Sequence, residues 1–181
     1  MRTFCIVVMA VMMWSATARL LFAQEFSAAT KHVHQDTIRE GTVYVSENKI
    51  RFETADVINI IRFDKKILLS LDPGRKSYAE TILPPDQIPS FRGELPGEIH
   101  RTFLCSETLD GREADKYFVI TKGFEGNKNI HIWVAKDISW PVKRKAIDGS
   151  WEISLSDIAI GPQPPGLFEV PEGYQKEVPR E

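Results

Sequence analysis

The chain has 181 residues, with 23 Lys+Arg against 25 Asp+Glu and a formal charge of −2. So even a balance excludes a protein built on basic excess to bind nucleic acid or anionic lipid surfaces. Two cysteines exclude a disulfide-stapled scaffold, and the length suits one domain with its own core.

The opening residues read as a leader. Arg2 precedes an uncharged apolar run, Phe4 to Trp14, shorter than the roughly 20 residues a spanning helix needs. Small residues follow it, which is the layout of a secretory signal peptide. Cleavage fits after Ala18 or after Ala23; the second is preferred, because Phe26 then opens the first strand directly. The expectation is a signal peptide over 1–23 and one domain over 24–181, soluble in the periplasm without a transmembrane segment. Arg2 and Arg19 leave with the leader, so the remainder is more acidic. Cys5 precedes the apolar run and does not suit lipid attachment. Cys105 is left alone, and Thr102 to Ser106 offers no His or basic residue to stabilise a thiolate, so a small buried strand residue is expected there.

From Phe26 onward the pattern is strand after strand. Runs over 26–34, 41–46, 49–53, 57–63, 67–71 and 77–83 are β-branched and aromatic. They are divided by turn signals at Asp36 to Glu40, Glu47-Asn48, Asp56, Asp64-Lys65-Lys66 and Asp72-Pro73-Gly74. Val43/Val45, Ile50/Phe52, Ile58/Ile60 and Leu69/Leu71 alternate with mostly polar neighbours, the period of a pleated strand. In the Asp-Pro-Gly turn, Gly74 is expected to take positive φ. Composition then shifts: Pro84 to Gly97 is dense in proline and glycine, and Pro89 prevents a long helix. This segment is expected to cross an edge or mouth of the sheet, partly helical.

Strands resume over 99–108, 113–121, 129–137, 141–147 and 151–160, with Asp-Gly turns at Asp110-Gly111 and Asp148-Gly149. The prediction is a mainly β fold of about ten antiparallel strands. Bulk falls on both faces of several runs: Tyr117 and Val119 oppose Phe118 and Ile120, and Ile130 and Ile132 oppose Trp133. A curved sheet around an apolar interior accounts for this; a flat sheet with one wet face does not.

Catalytic patterns are missing. There is no Gly-rich phosphate loop, Cys-x-x-Cys, His-Glu-x-x-His or Gly-x-Ser-x-Gly, and the carboxylates are scattered. No enzyme and no cofactor are expected. His32-x-His34 is the best metal candidate, since both imidazoles point to one side of a strand, with His100 or His131 as a third ligand. Only two ligands are local, and wet-face histidines are the plainer reading, so no metal is assigned.

Several of these stretches carry a family resemblance. Glu40-Gly41-Thr42-Val43-Tyr44-Val45, Lys49-Ile50-Arg51-Phe52-Glu53, the Ile60–Lys66 hairpin and Leu71-Asp72-Pro73 resemble the opening meander of the LolA/LolB-type lipoprotein carriers. Leu167-Phe168-Glu169-Val170-Pro171-Glu172-Gly173-Tyr174 is similar to that family's closing strand end. The resemblance implies an open antiparallel half-barrel whose apolar concave face holds acyl chains beneath a lid. It also matches Arg51 to a strand arginine associated with closing that lid. The chain departs from the family in lacking an amphipathic helix before the first strand, and in having only Pro84 to Gly97 as lid. The expected occupant is a lipid, lipoprotein acyl chain or other hydrophobic ligand, facing Tyr44, Phe52, Ile60, Leu69, Phe118 and Ile132. The alternative is a cell-envelope interaction module with a filled core, pairing to a protein partner through exposed strand edges.

Overall fold

Two meanders lie edge to edge in a single sheet. The computed structural model describes residues 24–90, 93–123 and 126–177. The leader expected over 1–23, Phe91 and Phe124 lie outside the described residues. The first meander comprises β1 (Phe26–His34), β2 (Thr37–Ser46), β3 (Lys49–Glu53), β4 (Ile58–Arg62), β5 (Ile67–Asp72) and β6 (Ser77–Ile82). The second comprises β7 (Glu98–Leu109), β8 (Arg112–Gly123), β9 (Gly126–Ala135), β10 (Trp140–Ala146) and β11 (Trp151–Ile160). A two-residue strand, β12 (Gln175–Lys176), pairs parallel to β6. The order β12-β6-β5-β4-β3-β2-β1-β11-β10-β9-β8-β7 makes one open sheet of twelve strands, with β1 and β11 as its central seam.

Local chemistry explains the joints. Asp110 (φ 49°) and Gly111 (φ 78°) both take positive φ, the tight reversal whose twist matches a hairpin. The Asp-Pro-Gly turn is built otherwise than expected. Asp72 accepts a hydrogen bond from the Arg75 backbone N–H at 2.9 Å, and Lys76 (φ 50°), not Gly74, takes the left-handed conformation. The β1–β2 turn is likewise tighter than predicted. Gln35 (φ 52°) reverses the chain at once, so Thr37 to Glu40 join the strand. At Gly41 a Cβ would meet the Glu53 carbonyl oxygen at 2.3 Å, which only glycine avoids.

Directly paired residues share a face, so the register sorts the side chains. Val43 lies opposite Phe52, Val45 opposite Ile50, and Ile50 opposite Ile61; these belong to one face. Tyr44 opposite Arg51 and Ile60 opposite Leu69 belong to the other. In the second meander the first face carries Ile130, Ile132, Tyr117 and Val119, while Phe118, His131 and Trp133 take the second.

Each face has its own cover. Residues 83–97 run from β6, at one side of the sheet, to β7, at the far edge, and so must traverse the opening between them. A short 3-10 turn (Pro85–Gln87) begins the crossing, and Leu95 ends it, buried against Val119, Ile130 and Ile132. Arg101 holds it there, donating to the Gly93 carbonyl at 2.9 Å while paired with Glu98. The other face is covered by the tail after β11. Phe168, at the end of a second 3-10 turn (Pro165–Phe168), is 0% exposed among Ile58, Ile60, Leu69 and Leu71.

Candidate functional site: an apolar trough under the crossing segment

Residues from β4, β3, β2, β1, β11 and β10, six neighbours in the sheet, line one cavity of about 850 Å³. Only a concave surface brings so many strands around one space. The crossing segment closes its far wall with Ile88, Pro89, Ser90, Gly93, Glu94 and Leu95. Apolar side chains dominate: Ile50, Phe52, Ile61, Phe63, Trp140, Val142, Ile153 and Leu155. Trp140 is fixed by an edge-to-face contact with the fully buried Phe26, centroids 5.8 Å apart. At roughly 300–1,000 Å³, mostly apolar with few polar groups, such spaces are of ligand-binding size.

The trough has unlike ends. Glu47, Asn48 and Asp64 line it at the β2–β3 turn; His32, Arg39 and Arg144 line it toward the β1–β2 turn. Arg39 and Glu47 lie at opposite ends of β2, about 26 Å apart at 3.3 Å per residue. The acid end is compensated in part. Asp64 takes two hydrogen bonds from Arg62, at 2.9 and 2.7 Å, and that guanidinium holds its carboxyl below the usual range. The cationic end is not. Burial, with His34, Arg144 and Arg39 nearby, lowers the His32 pKa. Burial alone lowers that of Arg144, yet a guanidinium stays charged near neutrality.

The sequence-selected residues do not share this surface. Phe52 lines the trough. Ile132 is on the same face but buried beneath Leu95. Tyr44, Ile60 and Leu69 are on the opposite face, packed in the cluster around Phe168. Phe118 is also on that face, edge-to-face with His131 at 6.4 Å. The alternation is real in each strand, but a shift of one residue exchanges the faces. Both alternating sets in β2 to β5 are apolar, so periodicity alone leaves the choice open. Cys105, expected to be buried, is exposed on β7. His32 and His34 do share a side, but no group of three His, Cys, Asp or Glu is placed to hold a metal among the described residues.

No family model matches the chain, and no curated protein matches it in sequence. Among solved structures, PNGF-II superposes with a TM-score of 0.54 at 11% identity, covering 86% of this chain and 31% of its own. MucB gives a TM-score of 0.51 at 10% identity, over 79% of this chain and 55% of its own. Those two likenesses show the fold. MucB has also been solved in complex with MucA(peri), with a TM-score of 0.50 to this chain, 11% identity and cover of 83% and 56%. A LolA superfamily protein from Nitrosomonas europaea aligns over 83% of this chain and 92% of its own, at 11% identity and a TM-score of 0.37. The single open, curved antiparallel sheet is the architecture that the sequence implied. The chain spans less than two thirds of either PNGF-II or MucB, and no helix among the described residues is long and apolar enough to cross a membrane.

Two arginines have roles that periodicity did not disclose. Arg51, 7% exposed, donates to the Leu167 carbonyl at 3.1 Å and pairs with Glu53 at 2.9 Å. Arg62, 5% exposed, donates to the Phe168 carbonyl at 3.2 Å and pairs with Asp64 and Glu169. Both therefore fasten the tail to the convex side, away from the crossing segment that the family resemblance linked to Arg51. Buried charge is tolerable here because carbonyls and carboxylates satisfy it. The signal was present: each arginine precedes an acid by two residues, on one face of its strand.

Proposed function

We propose that this protein binds a hydrophobic ligand, a lipid or an acyl chain, in the concave trough, without catalysis. The observation that supports this best is the apolar space bounded by six strands and the crossing segment. One acyl chain, about half of the ~30 Å hydrocarbon core of a bilayer, fits within the length of β2. The leader-like residues 1–23 favour a periplasmic setting for a domain over 24–181. The test is displacement of an uncharged apolar dye from delipidated full chain. Lipid extracts should displace it, and Ile61→Glu, which puts a charge on the trough wall, should abolish dye binding without loss of the folded circular dichroism spectrum. A wild-type protein that binds neither dye nor lipid refutes the reading.

One observation favours a protein partner instead. β7 is a twelve-residue edge strand carrying the exposed Ile99, Phe103 and Leu104. An extended segment of a partner would add to that edge; MucB, similar in fold, has been solved in complex with MucA(peri). It would slow hydrogen exchange at β7 amides, whereas a trough ligand would leave them unchanged.

A further inference from the structure

The cationic end of the trough is a row that crosses four neighbouring strands in register. Arg144 on β10 is paired with Ile153 on β11, Ile153 with His32 on β1, and His32 with Arg39 on β2. All four belong to the concave face and line the cavity. Strands lie about 4.8 Å apart, so Arg144 and His32 are separated by roughly 10 Å across Ile153. No acid occupies the row.

Acids near it belong elsewhere. Glu40 and Glu53 also border the cavity, but the alternation assigns them to the convex face, where Glu40 pairs with Lys31 and Glu53 bonds Arg51. Glu152, beside Ile153, is on the convex side with Lys143 and Lys145, at 3.0 and 3.4 Å. Glu94, on the crossing segment, accepts from the Ser90 backbone N–H. No hydrogen bond or ion pair to Arg144 is formed among the described residues, and it is half-buried beside Val142, Ile153 and Leu155. A guanidinium at the margin of an apolar trough with no carboxylate is costly to the empty protein and favourable to an anionic guest.

We propose that the occupant is an amphiphile with an anionic head, its carboxylate or phosphate received by Arg144 at one end of the row, with His32 and Arg39 beside it. Its chain then runs along Leu155, Ile50, Phe52 and Ile61. This rests on the trough being a ligand site and adds the chemistry of the ligand. His32 and Arg39 are exposed, which leaves the head at the rim and only the chain inside.

The test is dye displacement from the full chain by oleate, lysophosphatidylglycerol and uncharged monoolein. At least one anionic ligand should bind about tenfold or more tighter than monoolein, the return expected of a charge-assisted contact. Oleate alone identifies a carboxylate head; lysophosphatidylglycerol alone identifies a phosphate. Arg144→Gln should erase the preference, bringing the anionic ligands to the affinity of monoolein, without lowering the urea midpoint. Arg39→Gln, at an exposed site, should reduce the preference and serves as the second variant should Arg144→Gln unfold. Equal affinity for all three ligands, or a preference that survives both substitutions, overturns the anionic head but leaves the trough intact. Binding of none of them overturns both readings.

Discussion

Ile60 and Ile61 are adjacent in the chain and on opposite faces, so truncating each in turn separates the two surfaces of the sheet. Ile60 is 0% exposed beneath Phe168. Ile60→Ala removes three buried carbons at about 0.8 kcal/mol each, a transfer loss near 2.4 kcal/mol. The void left under Phe168 raises the expected cost to about 3 kcal/mol, within the 2–5 seen for such truncations. Ile61 is half-buried on the trough wall and already borders open space. Ile61→Ala should therefore cost about 1 kcal/mol or less in stability, yet weaken an apolar ligand roughly fivefold through about 1 kcal/mol of lost contact. Urea denaturation gives the first quantity and dye titration the second. The reasoning fails if the two variants lose stability equally, or if Ile60→Ala weakens the ligand as much as Ile61→Ala does.

Two further outcomes follow from the same geometry. Asp64 has its carboxyl held below the ordinary 3.8 by Arg62. Its contribution to fastening the tail is present above that value and is lost as pH falls through its lower folded value. Limited proteolysis should accordingly begin to cut after β11 below about pH 4, and Asp64→Asn should make the tail labile at neutral pH. Gly41→Ala should destabilise by about 1–3 kcal/mol, since the new methyl meets backbone rather than a movable side chain; a change below about 0.5 kcal/mol in urea would show that β2 and β3 yield there.

Much of the fold was legible because turns punctuate this chain clearly. Asp110-Gly111 and Asp148-Gly149 fall between strands, and Pro84 marks the shift from meander to crossing. The site was less legible. Phe52 lines the trough, whereas Tyr44, Ile60 and Leu69 look equally apolar along the chain and differ only in which cover they meet. That cover is non-local: Phe168 reaches β4 from more than a hundred residues away, and no periodicity carries such information. β12 was missed for a related reason. It pairs parallel to β6 over two residues, Gln175 with Ser77 and Lys176 with Tyr78, too few to show a pattern. The burial of Arg51 and Arg62 under the tail is not legible either, because an isolated strand position does not reveal whether a later segment will bury it.

The central seam between β1 and β11 has a geometric corollary. With first and last long strands stitched together in the middle, β6 and β7, at or next to opposite rims, are joined directly by residues 83–97. That tether fixes the greatest distance the rims can spread, much as a bowstring limits a bow. Its length sets an upper bound on how far those two strands can separate, whatever the side chains that anchor it.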